Sequence, residues 1–122
     1  MAEHNDFGKL AEELAATFLE QKGYKILAKN YRYQKAEIDI IAEYEQKIII
    51  VEVKARGIDA LLEPYEAVNQ RKIKLIVSAA DAFLSQGNYD AEVRFDIISV
   101  QRKKDNSLEI QHLEDAFDAM DA

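Results

Sequence analysis

The 122-residue sequence has no cysteine, one proline and four widely spaced glycines. The absence of cysteine excludes disulfides, thiolate metal sites and cysteine nucleophiles, and it is typical of a reducing compartment, so we expect a cytoplasmic protein. Because no two glycines lie close together, a dinucleotide-binding loop and a Walker-type phosphate loop are both excluded. The two histidines are at opposite ends of the chain, which excludes an H-E-x-x-H zinc site. Any chemistry must therefore rely on carboxylates and lysines.

Long apolar runs are also absent. The longest aliphatic stretch, Ile48 to Val51, is far shorter than the roughly 20 residues of a membrane helix, so we expect no membrane partner. The formal net charge is −7, which argues mildly against nucleic-acid binding because phosphate binders usually carry a basic surface. An acidic domain that recruits a protein partner therefore stays open as an alternative.

The length and composition predict one globular domain over residues 1–122, because single domains commonly contain about 100–150 residues. The hydrophobic pattern predicts an α/β fold with the order α-β-β-β-α-β-β, in which helices flank a mixed central sheet. The second helix is expected to begin at Pro64 and to end at Gly87. The last strand is expected at 108–113, followed by an acidic tail at about 114–122 that frays.

The most informative segment is a predicted β-hairpin, 36–44 and 47–55, with Glu45-Gln46 as its turn. If these two residues form the whole turn, Asp39 faces Glu52 across the hairpin. Glu37 then faces Lys54 on the same side of the sheet, because side chains two positions apart share a face. A bulge or an odd loop would destroy this arrangement.

Two carboxylates in directly opposed positions repel each other, so something must offset Asp39 against Glu52. A hard divalent cation such as Mg²⁺ does so, and Lys54 can orient or help activate a water nucleophile. Glu12 can add a further acidic ligand if the first helix packs over this part of the sheet. The pattern indicates metal-assisted hydrolysis of a phosphodiester. The alternative is a charged, half-exposed hairpin in which Glu37 and Lys54 form an ion pair and nothing is catalysed.

The same residues resemble a known superfamily. Asp39 followed by Glu52-Val53-Lys54 after a short hairpin resembles the PD-(D/E)XK nucleases. Over nearly the whole chain, the sequence resembles the bacterial YraN family of uncharacterised proteins, which are related to archaeal Holliday-junction resolvases. The matching motifs are Gly8…Ala11-Glu12, Gly23-Tyr24, Asn30-Tyr31-Arg32, Glu37-Ile38-Asp39-Ile40-Ile41, Val51-Glu52-Val53-Lys54-x-Arg56, Lys72, Arg94-Phe95-Asp96 and His112…Ala116-Phe117. One departure is Ala36, which stands where the family usually has glycine.

This resemblance implies a restriction-endonuclease-like fold and a Mg²⁺- or Mn²⁺-dependent DNA endonuclease that acts on branched or damaged DNA. It implies that Asp39, Glu52 and Glu12 bind metal and that these residues, with Lys54 and the neighbouring Glu37, form the catalytic group. One alternative stays open, since fold does not fix function: a catalytically silent module that binds nucleic acid or a protein partner. Analogy with the resolvases also suggests a homodimer.

Basic residues outside the hairpin are candidates for contact with DNA phosphates. The leading candidates for these phosphate contacts are Arg32, Arg56 and Lys72. Arg56 follows Lys54 out of its strand, and Lys72 interrupts an apolar helical stripe. Asp96 and His112 are expected to be buried, hydrogen-bonded side chains rather than catalytic groups.

Overall fold

The computed structural model describes residues 2–58 and 69–121, with backbone only for residues 2–5. Its elements confirm the predicted order α-β-β-β-α-β-β. They are α1 (Ala2–Gln21), β1 (Lys25–Tyr33), β2 (Ala36–Tyr44), β3 (Lys47–Arg56), α2 (Gln70–Gly87), β4 (Glu92–Arg102) and β5 (Leu108–Phe117), followed by a short 3-10 turn (Ala119–Asp121).

The five strands form one mixed sheet in the order β1-β2-β3-β4-β5. Neighbouring strands are antiparallel except β3 and β4, which are parallel. The central position of β3 follows from its sequence, because Ile48 to Val51 are apolar on both faces and all are fully buried.

Each face of the sheet is covered by one helix. On one face, Ile48 and Ile50 pack with buried residues of α2 such as Ile76, and we call this cluster the α2-side core. On the other face, Ile49 and Val51 pack with the small buried residues of α1, and we call this cluster the α1-side core. Alternate residues of one strand therefore serve two separate cores.

The predicted hairpin and its register are confirmed. Tyr44 pairs with Lys47, so Glu45-Gln46 is the whole turn. Glu45 and Gln46 have φ angles of 51° and 68°, which is the pattern of a type I′ turn, here without the usual Asn-Gly residues.

Two sequence-based expectations about element ends need correction. Helix α2 begins at Gln70, because Asn69 has an extended backbone and its side chain accepts a hydrogen bond from the Lys72 N–H as an N-cap. The expected start at Pro64 lies outside the described residues. The acidic tail was expected to fray from residue 114, but β5 continues to Phe117, whose side chain is buried. In the described part of the chain, neither helix is long and apolar enough to span a bilayer.

Candidate active site

The candidate site lies where the pairing between β2 and β3 stops. The last backbone pair is Ile40 with Val51. Beyond it, the Asp39 carboxylate replaces the missing backbone acceptor, because the Val53 N–H donates to Asp39 Oδ2 at 2.7 Å. The Asp39 N–H in turn donates a long hydrogen bond of 3.5 Å to Glu52 Oε2. The prediction that Asp39 and Glu52 meet across the hairpin is confirmed.

A local irregularity in β2 explains how Asp39 reaches this position. Ile38 and Ile41 both belong to the α2-side core, whereas Ile40 belongs to the α1-side core. Regular alternation would place residues 38 and 40 on the same face, so the strand is irregular next to Asp39. On the neighbouring strand β1, Asn30 has a φ of 51° at the same level. Asparagine tolerates this left-handed conformation better than most residues, which favours the irregularity here.

Two lysines approach the acidic pair. Lys72, from the first turn of α2, places Nζ 3.4 Å from Glu52 Oε1, and the Glu52 side chain is only 2% exposed. Lys54 lies two residues after Glu52 and contacts Lys72. Asp39, Glu52 and Lys72 border a cleft of about 310 Å³ between β2, β3 and α2, which Glu37 also lines, with Leu75 and Ile76 as apolar lining. The fold thus gathers two carboxylates and two ammonium groups at one end of the sheet.

The electrostatics reflect this crowding. Burial, together with the charge of Asp39, raises the pKa of Glu52 to about 7. Burial also raises the pKa of Asp39, although the Val53 hydrogen bond and the charges of Lys72 and Lys54 act in the opposite direction. Burial lowers the pKa of Lys54 to about 8, and the contact with Lys72 acts in the same direction. Both Glu52 and Lys54 therefore change protonation state close to neutral pH.

Glu12, on α1, is within electrostatic range of Asp39. Burial and the charge of Asp39 raise the pKa of Glu12, while a hydrogen bond with the Asn30 side chain acts in the opposite direction. Helix α1 packs on the face of the sheet opposite to α2, and none of its described residues lines the cleft. Within residues 2–58 and 69–121, no three acidic or histidine side chains converge as metal ligands would. Only the Asp39–Glu52 part of the predicted ligand set is brought into direct contact.

The expected pairing of Glu37 with Lys54 is wrong. Glu37 forms an ion pair of 3.0 Å with Arg32, its partner on β1. The physical reason is that the β2–β3 ladder ends at Ile40, so residues before this point on β2 pair only with β1. The same observation excludes the Glu37–Lys54 ion pair that was part of the non-catalytic alternative.

The three residues selected for phosphate contact have different surroundings. Lys72 lines the cleft itself, whereas the sequence predicted it only at the flank of the cleft. The signal for Lys72 was its position within an apolar helical stripe. Arg32 is held by Glu37, and its side chain is 80% exposed. Arg56 is the last residue of β3 and is partly buried.

The interpretation of Asp96 and His112 as buried hydrogen-bonding residues is confirmed. Asp96 accepts from Arg94 Nε and Nη2 at 2.9 and 2.8 Å, and it lies 2.7 Å from His112 Nε2. Lys22 Nζ lies 2.8 Å from His112 Nδ1. Because an ammonium group can only donate, Nδ1 must accept and Nε2–H must donate to Asp96. Arg94 also donates to the Tyr24 hydroxyl at 2.6 Å, a contact that no feature of the sequence pattern indicates.

The fold and the cleft define a class of protein: a mixed α/β domain in which an acidic pair and two lysines meet at the end of the central hairpin. Comparison with known proteins places the chain more closely. It belongs to the family described as "Uncharacterised protein family UPF0102", whose match covers residues 11–100. The UPF0102 protein of Flavobacterium psychrophilum is 47% identical, covering 96% of this chain and 98% of the relative. The UPF0102 proteins of Christiangramia forsetii and Bacteroides thetaiotaomicron are 45% and 44% identical and cover 96% of this chain and 98% and 96% of their own lengths.

Proposed function

We propose that this protein is a metal-dependent DNA endonuclease that hydrolyses phosphodiesters, with branched or damaged DNA as its substrate. The observation that carries the proposal is the meeting of Asp39 and Glu52 beside Lys72 in one cleft, with Lys54 in contact with Lys72. The resemblance of these residues to the PD-(D/E)XK nucleases and their resolvase relatives supports the same reading.

The acidic pair suits a hard cation. Mg²⁺ prefers oxygen ligands and is commonly held by one or two carboxylates, with waters and substrate phosphates completing its coordination. Asp39 and Glu52 supply two such carboxylates, and Glu12, whose pKa responds to the Asp39 charge, is the third candidate ligand. When bound, Mg²⁺ or Mn²⁺ would supply Lewis-acid stabilisation of the charge on the phosphoryl group.

The lysines supply the remaining chemistry. Lys54, with its pKa lowered to about 8, can orient the attacking water or transfer a proton at its Nζ near neutral pH. Lys72 can stabilise the negative charge that develops on a phosphoryl oxygen. Arg32 and Arg56 would contact flanking phosphates, which position the duplex without reading its sequence.

The test is cleavage of branched and linear DNA in the presence of Mg²⁺ or Mn²⁺. The wild type is compared with Glu52→Gln, Lys54→Ala and a control, Glu20→Gln, which alters an exposed glutamate of α1. We expect the control to cleave like the wild type, Lys54→Ala to lose about 100-fold in rate, and Glu52→Gln to lose at least as much. Equal cleavage by all four proteins would identify a contaminating nuclease as its source, and absence of cleavage by the purified wild type on every substrate would refute the proposal.

A second candidate function is a catalytically silent module that keeps the nuclease-like fold. The ion pair between Lys72 and Glu52 favours it, because the protein's own ammonium group already balances the acidic pair. Calorimetric titration with Mn²⁺ separates the two candidates. Binding by the wild type that is lost in Glu52→Gln supports the enzyme, whereas absence of Mn²⁺ binding together with absence of cleavage supports the silent module.

A further inference from the structure

A second concave surface lies on the other flank of α2. Whereas Leu75 and Ile76 face the cleft, the next residues of α2 line a groove of about 420 Å³, which we call the C-terminal groove. Its other walls are the start of β4, the end of β5 and the segment after β5. Its apolar lining residues are Val77, Ala80, Val93, Phe95, Ala119 and Met120.

One of these apolar residues is held at the surface by an ordered turn. The side chain of Met120 is 92% exposed. The turn that carries it is fixed by two hydrogen bonds, from the Asp118 N–H to Asp121 Oδ2 and from the Met120 N–H to Asp118 Oδ1, both 2.8 Å. An exposed, flexible methionine at the edge of an apolar groove is typical of surfaces that adapt to a protein partner.

All charged residues that line the groove are acidic: Asp81, Asp115 and Asp118. In the described part of the chain, none of the three forms an ion pair. Asp115 has a left-handed φ of 53°, and its N–H donates to the buried Asp96 at 3.0 Å. The buried network therefore holds Asp115 in an unfavourable backbone conformation, a kind of strain that persists where the surroundings enforce it.

We propose that the C-terminal groove binds a protein segment in which an apolar side chain is flanked by Lys or Arg. The volume of the groove is within the range of about 300–1,000 Å³ found for binding pockets, and its apolar floor suits an aliphatic or aromatic anchor. The three carboxylates attract cationic flanks and repel phosphates, which favours a basic protein segment over nucleic acid. Because α2 separates the groove from the cleft, an occupied groove leaves the acidic pair accessible.

The probe is a synthetic helical peptide with one leucine face flanked by lysines, and a scrambled peptide of the same composition is its control. Binding to the full chain is followed by ¹H–¹⁵N NMR. We expect shift changes concentrated in the groove residues and weaker binding of the scrambled peptide. Asp81→Lys and Met120→Glu, both at exposed positions, should each weaken binding by about tenfold.

Glu20→Lys is the matched control, since it makes the same charge change as Asp81→Lys at an exposed position of α1 on the opposite face of the sheet; we expect binding like that of the wild type. Three results would overturn the proposal: absence of binding, equal binding of the scrambled peptide, or shift changes spread over all acidic surfaces. Concentration-dependent shifts of the same groove residues without peptide would instead identify a second copy of this chain as the occupant, and would also overturn it.

Discussion

Glu52→Gln should become more stable relative to the wild type as the pH rises. Glu52 is almost fully buried, and its pKa is raised from 4.5 to about 7. A carboxyl whose pKa is raised by folding stabilises the folded state most below its unfolded pKa. That contribution is lost as the pH rises through the folded pKa. Wild type therefore loses stability from pH 4.5 upwards, until the pH has passed about 7, whereas glutamine does not titrate.

The size of the effect follows from the pKa values. A difference of one pKa unit corresponds to about 1.4 kcal/mol, so the rise from 4.5 to about 7 corresponds to roughly 3 kcal/mol. The attraction between Lys72 and Glu52 lowers the pKa of Glu52, so the net value of about 7 already includes this ion pair. Contributions that do not depend on pH, such as the different shape of the amide, cancel when two pH values are compared.

The assay is urea unfolding of both proteins, with a chelator present, at several values between pH 4.5 and about pH 8.5, well above the folded pKa. The difference in the free energy of unfolding between variant and wild type should rise by roughly 2–3 kcal/mol across this range. The control is Glu20→Gln, whose exposed site should give a difference that stays nearly constant. A difference for Glu52→Gln that is the same at both ends of the range would refute the reasoning.

Two further predictions concern the fold. Asp96→Asn should lower the free energy of unfolding by about 3 kcal/mol at neutral pH, because it removes the buried carboxylate that pairs with Arg94 and leaves only the more exposed Glu114 as its acidic partner. Burial raises the pKa of Asp96, but the hydrogen bonds from His112 and Arg94 outweigh burial, so the pKa lies below 3.8. The difference in the free energy of unfolding between wild type and variant should therefore shrink as the pH falls below 3.8. Urea unfolding that shows a loss independent of pH would contradict this. Gln46→Gly should raise the free energy of unfolding by roughly 0.5–1 kcal/mol, because glycine adopts the positive φ of the turn without strain. Thermal unfolding measures this change, and a lower melting temperature would show that the Gln46 side chain contributes more than its backbone strain costs.

The hairpin shows how much of the fold the sequence could predict. The run Ile48 to Val51 marks a central strand, and the short connection fixes its register with β2. Because register follows from counting once the turn is known, the meeting of Asp39 and Glu52 was also predictable. The turn itself was not strongly marked, since Glu45 and Gln46 lack the glycine or asparagine that usually signals a type I′ turn.

The partners of the charged residues could not be predicted in the same way. Glu37 pairs with Arg32 because the β2–β3 ladder ends early, and no pattern of apolar residues shows where a ladder ends. Lys72 reaches Glu52 because α2 begins at Gln70 and directs its first turn at the cleft. That contact depends on how the helix packs on the sheet. The hydrophobic period of the sequence shows which face of the helix is buried, but not the direction in which the helix lies on the sheet.

The chemistry of the cleft itself argues against a purely structural role for its acids. Asp39 and Glu52 accept hydrogen bonds from the backbone N–H groups of Val53 and Asp39, at the point where the ladder no longer supplies acceptors. Asparagine and glutamine would accept the same bonds through neutral amide oxygens, without the free-energy cost of burying a second negative charge beside the first. Lys72 offsets part of this cost through its ion pair with Glu52, but burial and the charge of Asp39 still raise the pKa of Glu52 to about 7, so the two carboxylates keep a net cost in the free protein. Under the proposed function, a cation held between them would remove this cost, so a stability of Glu52→Gln that rises relative to the wild type with pH, together with a loss of Mn²⁺ binding, would be the expected signature of a site that sacrifices stability for function.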